Sequence, residues 1–387
     1  MAPPRLFQLF WTFFRIGLTG FGGPSMIADI RRASVEKHAW VASRNFLEAV
    51  AFCQMIPGAL AMQTAAYVGL QTRGPVGAIV SFIAFGLPAF LLMLFLAALY
   101  ARNHDIPGVI VIFEGLQAVI VAIIANATVT FGQSSIRNWK HGLMAATAAL
   151  LYIFHVNPVV VVLIAASSGL FLCRAQPPTP TALPITSIHR PAWSRLGWLL
   201  IGLGVIWSVM FWFKPALAQM SLLFFRLDLM AFGGGFASVP LMLHEIVEVR
   251  HWLGSEVFMH GIVLGQITPG PIVMTATFVG YMLHGLTGGI IATISILSPS
   301  LLLVIFLCPY FEVLRASPLV SKMVTGVLCS FVGLLLAVTI HFADNVNWNL
   351  AHLSLALAAF VALRAKIDVF WVVMSGTGIS AMLYWLG

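Results

Sequence analysis

Apolar residues fill long stretches of the chain, and short polar or basic breaks separate them. About 20 consecutive apolar residues span the hydrocarbon core of a bilayer as a helix. On that measure thirteen candidate segments follow one another: 8–28, 47–70, 76–101, 109–133, 141–154, 157–173, 196–214, 218–239, 257–281, 287–311, 321–341, 350–364 and 367–386. The stretches 141–154 and 350–364 are short for a span, and the pair 141–154 and 157–173 reads equally as a helical hairpin or as one bent element. The pattern predicts an all-α polytopic membrane protein with about thirteen transmembrane or re-entrant segments.

One stretch departs from the pattern. Residues 174–195 are polar, and Pro177, Pro178, Pro180 and Pro184 fall within eight positions. Proline removes a helix donor and clashes with the preceding turn, so this stretch reads as an extended linker outside lipid. On either side of it the sequence repeats. Phe14-Arg15-Ile16-Gly17-Leu18-Thr19-Gly20-Phe21-Gly22-Gly23 returns as Phe225-Arg226-Leu227-Asp228-Leu229-Met230-Ala231-Phe232-Gly233-Gly234, displaced by 211 positions. Gln54-Met55-Ile56-Pro57-Gly58 returns as Gln266-Ile267-Thr268-Pro269-Gly270, displaced by 212, and Pro88 and Trp40 find Pro299 and Trp252 at 211 and 212. A displacement this constant marks a tandem duplication. Its expected parts are a first repeat at 1–173, the linker at 174–195, an extra membrane segment at 196–217 and a second repeat at 218–387. Seven segments separate the starts of the repeats, and an odd number inverts the second copy relative to the first.

Composition narrows the class. The 387 residues are 60% hydrophobic and 8% charged, with a mean hydropathy of +0.99. A soluble domain carries about 25% charged residues, so soluble enzymes, nucleic-acid-binding modules and disordered chains are excluded. The net charge of +8 comes from basic residues scattered between apolar runs, where positive-inside topology puts them. With the N-terminus inside, twelve basic residues fall in cytoplasmic loops and six outside, which favours that orientation. The cluster Arg31, Arg32, Lys37 and Arg44 would then face outward, unless a re-entrant first segment returns it to the inside. Cys53, Cys173, Cys308 and Cys329 lie in or beside apolar segments without a CxxC pair and read as packing residues. The histidines lack HxxxH or HExxH spacing and GxxxxGK[ST] is absent, so neither a metal site, nor P-loop ATP hydrolysis, nor any other cofactor is expected. His244, His251 and His260 read as solvated. The first apolar stretch lacks a small-residue cleavage site and reads as a retained membrane segment.

The candidate chemistry sits where the repeats break. Gly and Pro interrupt equivalent apolar segments in both halves, at Pro57-Gly58 and Pro269-Gly270 and at Gly22-Gly23 and Gly233-Gly234. Hydrocarbon cannot satisfy the backbone groups such breaks free, so they are tolerated where they line a cavity. Broken helices at corresponding positions of two repeats point to a transporter's substrate site. A half-helix start near Gly58 or Gly270 would offer free N–H groups and a positive dipole end to a tetrahedral dianion. Arg15 and Arg226 occupy equivalent positions inside apolar segments. A buried arginine costs at least about 2.5–3.5 kcal/mol on insertion scales, and its planar fork grips two oxygens at once. Snorkelling to the interface is the alternative for Arg15. Gln54 and Gln266 precede the Pro-Gly breaks and offer neutral amides, either to an oxyanion or as glue between helices. Asp228, whose counterpart is Gly17, is the candidate proton carrier or a partner for another helix, with Glu114 the weaker candidate.

These motifs carry a family resemblance. Phe21-Gly22-Gly23-Pro24, Trp40, Gln54-x-x-Pro57-Gly58 and Ala66-Tyr67-Val68-Gly69 resemble the first half of a chromate ion transporter of the two-domain, long-chain type. Phe232-Gly233-Gly234-Gly235, Trp252, Gly265-Gln266-x-Thr268-Pro269-Gly270-Pro271 and Thr277-Phe278-Val279-Gly280-Tyr281 resemble its second half. The resemblance implies export of chromate across the cell inner membrane, conferring chromate resistance, with sulfate as the chemical look-alike. The first half departs from the family at Ala59, where a second proline is usual, and lacks acidic residues shortly after Trp40. The expected partners are chromate or a similar oxyanion, the lipid bilayer and, as an open alternative, a second copy of the chain. A sulfate-type or other oxyanion carrier, importers included, is the nearest rival, and an intramembrane enzyme on a lipid-linked substrate the more distant one.

Overall fold

The computed structural model describes residues 4–21, 23–104, 106–173, 202, 204–205 and 207–386. The linker 174–195 and Gly22 lie outside the described residues, and the extra segment 196–217 is described in part, with 207–213 helical. Among the described residues the regular structure is entirely helical. The first half contains α1 (Leu6–Thr19), α2 (Gly23–Arg31), which widens into a π-helical turn at Arg32–Lys37, and α3 (Ser43–Met55). It continues with α4 (Leu60–Asn103), α5 (Pro107–Ser135), α6 (Trp139–Ile153) and α7 (Pro158–Leu172). The second half contains α8 (Pro215–Met230), α9 (Ser238–Met242) with its π turn at Leu243–Val249, α10 (Ser255–Ile267) and α11 (Thr275–Leu307). It ends with α12 (Phe311–Ala316), α13 (Pro318–Asp344), α14 (Leu350–Arg364) and α15 (Val369–Leu386). The starts of α5, α6 and α7 recur 211 positions later in α13, α14 and α15, so the repeat in sequence is a repeat of elements.

α4 and α11 are helical hairpins. Arg73 (φ −138°) and Gly74 (φ 65°) leave the helical region, and a Cβ on either Gly69 or Gly77 would collide with the other's carbonyl oxygen. Eight residues of straight helix would hold those glycines ~12 Å apart, so the chain reverses at Arg73-Gly74. The same reversal occurs at His284 and Gly285 (φ 60°), with Gly280 against Gly288 and Thr277 Oγ1 2.7 Å from Thr293 Oγ1. A left-handed φ at the turn explains glycine there in both copies.

The segments 8–28, 47–70, 218–239 and 257–281 are not the single spans that hydropathy alone suggests. Each is a pair of short helices around a non-helical break, because glycine and proline at the break stop the helix. α3 folds back along the first limb of α4, with the Phe52 and Tyr67 rings 6.2 Å apart. α2 and its π turn likewise fold back along α1, so that Arg15, Ala33 and Lys37 line one cavity. Among the described residues, four helical stretches are long and apolar enough to cross a membrane: Leu60–Asn103, Pro107–Ser135, Ile272–Tyr310 and Pro318–Asp344. Pro158–Leu172, Leu350–Arg364 and Val369–Met382 are shorter apolar helices.

The halves interlock. α5 packs against α13, α14 and α15, while α13 packs against α5, α6 and α7. Glycine allows the close approaches: Gly326 meets the Ala165 carbonyl on α7, and Gly333 the Ala145 carbonyl on α6. The second limbs of α4 and α11 cross antiparallel. Gly289, just past its turn, lies against Leu94, far along α4. At the opposite end Phe311, beyond α11, packs its ring 5.3 Å from Phe52.

Candidate functional site

The breaks of the two halves are tied to each other. The Gly58 amide donates to the Ala231 carbonyl at 2.9 Å, and the Gly270 amide donates to the Gly20 carbonyl at 3.0 Å. Gly58 and Gly270 are repeat equivalents, as are Gly20 and Ala231, so one bond is made twice, once in each direction between the halves. Both glycines hold a left-handed backbone (φ 120° and 125°) and both pack tightly on the other half's hairpin. A Cβ on Gly58 would strike Ser300, and one on Gly270 would lie 2.6 Å from Cβ of Ala89, the counterpart of Ser300. The expectation of free amides at Gly58 and Gly270 is therefore corrected. Each N–H is taken by a carbonyl that the opposite break has released from its own helix.

A buried polar cluster lies beside the first of these breaks. Ser300 donates through its backbone N (2.9 Å) and Oγ (2.7 Å) to Oδ2 of Asp228, which is fully buried. The Ala59 amide donates to Ser300 Oγ at 3.3 Å, and Gln63 Nε2 donates to the Pro57 carbonyl at 2.5 Å. Asp228 Oδ1 and Gln63 Oε1 have no partner, and Asp228 makes no ion pair among the described residues. The first half has no such cluster. Its counterparts are Gly17, which lets α1 touch the Phe85 carbonyl, and Ala89. The paired change from Gly17 and Ala89 to Asp228 and Ser300 was a readable signal. Asp228 stood out in the sequence and Ser300, its donor, was missed.

The two arginines differ. Arg226 donates to Glu245 Oε1 at 2.7 Å, and Arg250 Nε donates to Glu245 Oε2 at 3.4 Å. Arg226 thus pairs across to the π turn and not with Asp228 on its own helix. Arg15 makes no ion pair among the described residues and lies 5.1 Å from the centre of the Trp11 ring. It borders an open cavity of about 380 Å³ with Asp29, Arg32 and Lys37. Gly233 and Gly234 hold left-handed backbone (φ 93° and 101°), and the space beyond Gly234 is open. Gly23 begins α2. Gln54 is exposed on α3, whereas Gln266 is half-buried with Nε2 unpartnered. Glu114 is exposed.

Two histidines read as solvated are not. His244 is buried and bonds Glu248 at 2.8 Å, because the π turn carries it to α6, its ring 6.2 Å from that of Tyr152. His260 lies between Tyr100 (2.9 Å) and Gln117 (3.2 Å). His251 is exposed. Burial works against ionisation of Glu248, but the hydrogen bond and field of His244, with His341 and Tyr152 behind it, hold its carboxyl below the usual range. The four cysteines are free and buried.

Paired helix breaks joined across two repeats, in a helical protein with several membrane-crossing helices, define a multi-pass membrane transporter. The chain belongs to the chromate transporter family, which matches it twice, over residues 7–170 and 218–382. It is 38% identical to an uncharacterized transporter of Methanocaldococcus jannaschii over 96% of this chain and 92% of that protein. It is 31% identical to a chromate transport protein of Cupriavidus metallidurans (93% of this chain, 88% of that one). It is 26% identical to a chromate transport protein of Pseudomonas aeruginosa (94% and 87%). No solved structure matches it significantly. The family is one of transporters, not enzymes.

Proposed function

We propose that the protein is a secondary active exporter of chromate or a related tetrahedral oxyanion across the cell inner membrane, working by alternating access and conferring chromate resistance. The observation that carries this reading is the reciprocal pair of bonds, Gly58 to Ala231 and Gly270 to Gly20. Rocking of one half against the other would break and remake them around a shared midplane site. The antiparallel crossing of the second limbs of α4 and α11 supports repeats of inverted topology. The fold-back of α2 along α1 supports a re-entrant first hairpin, which returns Arg31, Arg32, Lys37 and Arg44 to the cytoplasmic side. A potential negative inside drives a dianion outward by roughly 2.3 kcal/mol per charge per 100 mV. Asp228 is the carboxylate through which proton antiport would add to that force.

Growth in chromate, compared with cellular chromium content with and without expression, tests the direction. An exporter raises tolerance and lowers cellular chromium. Raised chromium with lowered tolerance contradicts export and favours an importer.

A further inference from the structure

Repeat symmetry would give Arg15 and Arg226 the same surroundings, and the chain gives them opposite ones. The counterpart of Glu245, which holds Arg226, is Ala33, because the π turns close on matching bonds, Arg250 N to the Glu245 carbonyl and His38 N to the Ala33 carbonyl. Ala33 carries no charge and lines the cavity beside Arg15. The counterpart of Lys37 is the uncharged Val249, while Glu36 and Glu248 correspond. Around Arg15, residues 29–39 bring the count to four cations (Arg15, Arg31, Arg32, Lys37) against two carboxylates (Asp29, Glu36), a net of +2. Around Arg226, residues 240–250 give two cations (Arg226, Arg250) against two carboxylates (Glu245, Glu248), a net of zero. The first cradle borders an open surface cavity of about 380 Å³. In the second, a carboxylate already occupies the guanidinium at 2.7 Å.

A carboxylate and a tetrahedral oxyanion compete for the same planar fork. We propose that the cradles are unequal by construction: Arg15 with Lys37 is the docking site for the oxyanion, and Glu245 is a resident counter-anion that holds Arg226 against it. This rests on oxyanion transport as the activity. An oxyanion reaching Arg226 must displace Glu245, and the returning carboxylate expels it. The second cradle therefore binds weakly and releases readily, as an exit requires, while the first captures. Asp29, 3.7 Å from Arg32, draws on that arginine and leaves Arg15 and Lys37 as the uncommitted cations.

Equilibrium dialysis of radiolabelled chromate and sulfate against the purified full-length protein at low ionic strength tests this. Wild type is expected to bind one oxyanion per chain. Arg15→Ala should weaken binding about tenfold or more. Glu245→Gln should add a second site. Arg226 is 51% exposed in its side chain, so loss of its partner does not leave an unpaired charge in the protein core. Ala33→Glu, which installs in the first half the carboxylate of the second, should weaken docking as Arg15→Ala does, in protein that stays monodisperse. Unchanged affinity in Arg15→Ala, or unchanged stoichiometry and affinity in Glu245→Gln, overturns the inequality while leaving oxyanion transport standing. A monodisperse wild type that binds neither anion overturns both.

Discussion

Asp228 is a fully buried carboxylate with one oxygen doubly hydrogen-bonded and the other unpartnered. A buried charge without a counter-charge is costly unless it is neutralised, and a proton on Oδ1 neutralises it and supplies a donor. Asp228→Asn keeps the shape and removes the titration. Chromate flux in this variant is expected to lose its response to an imposed pH gradient and to keep its response to membrane potential. A variant that responds to the pH gradient as wild type does removes Asp228 from coupling. Glu248 makes a different demand, on stability. Its carboxyl is depressed below the ordinary 4.5, so the native state gains from its ionisation above that value. The gain disappears as pH falls through the depressed folded value. Thermal stability in detergent should therefore fall on acidification below pH 4.5, and Glu248→Gln should shallow that fall. An identical acid profile in the variant contradicts the assignment. Both residues show what one chain could disclose. Asp228 was conspicuous as a charge in an apolar run. The partner of Arg226 was not, because Glu245 lies 19 positions away and reaches it only through a π turn that no periodicity announces.

Among the elements, the helix breaks were legible because glycine and proline punctuate both copies at one displacement. What closes the breaks was not. Gly58 and Ala231 are 173 positions apart, and their bond exists only once the halves interlock. Hydropathy also marked only some of the reversals. The hairpin turns at Arg73-Gly74 and His284-Gly285 fall in the gaps between segments 47–70 and 76–101 and between 257–281 and 287–311 and so were legible, whereas α3 and the first limb of α4 read as one segment. The tightness of the junction gives a prediction. At Gly58 a side chain would meet both a left-handed φ and Ser300, and at Gly270 it would meet Ala89. Gly58→Val should cost several kcal/mol through strain and displaced packing, seen as a large loss of thermal stability and of flux. Gly74→Ala has open space around its Cβ and pays only for its φ, so it should lose about 1 kcal/mol and retain flux. Equal losses in the two variants would contradict a close-packed junction at Gly58.

At the scale of the whole molecule, the interlocked halves share one buried core, and each contributes a break and a hairpin to the junction. The unequal charge of the two cradles gives this symmetric frame a direction. Capture belongs to the basic first half, and release to the half where Glu245 waits for Arg226. The most direct measurement is chromate accumulation in everted membrane vesicles under an imposed lumen-positive potential. Accumulation is expected to rise with the potential, to be absent in vesicles lacking the protein, and to be lost in Arg15→Ala with the protein still inserted. Accumulation indifferent to the potential, or undiminished in Arg15→Ala, would contradict it.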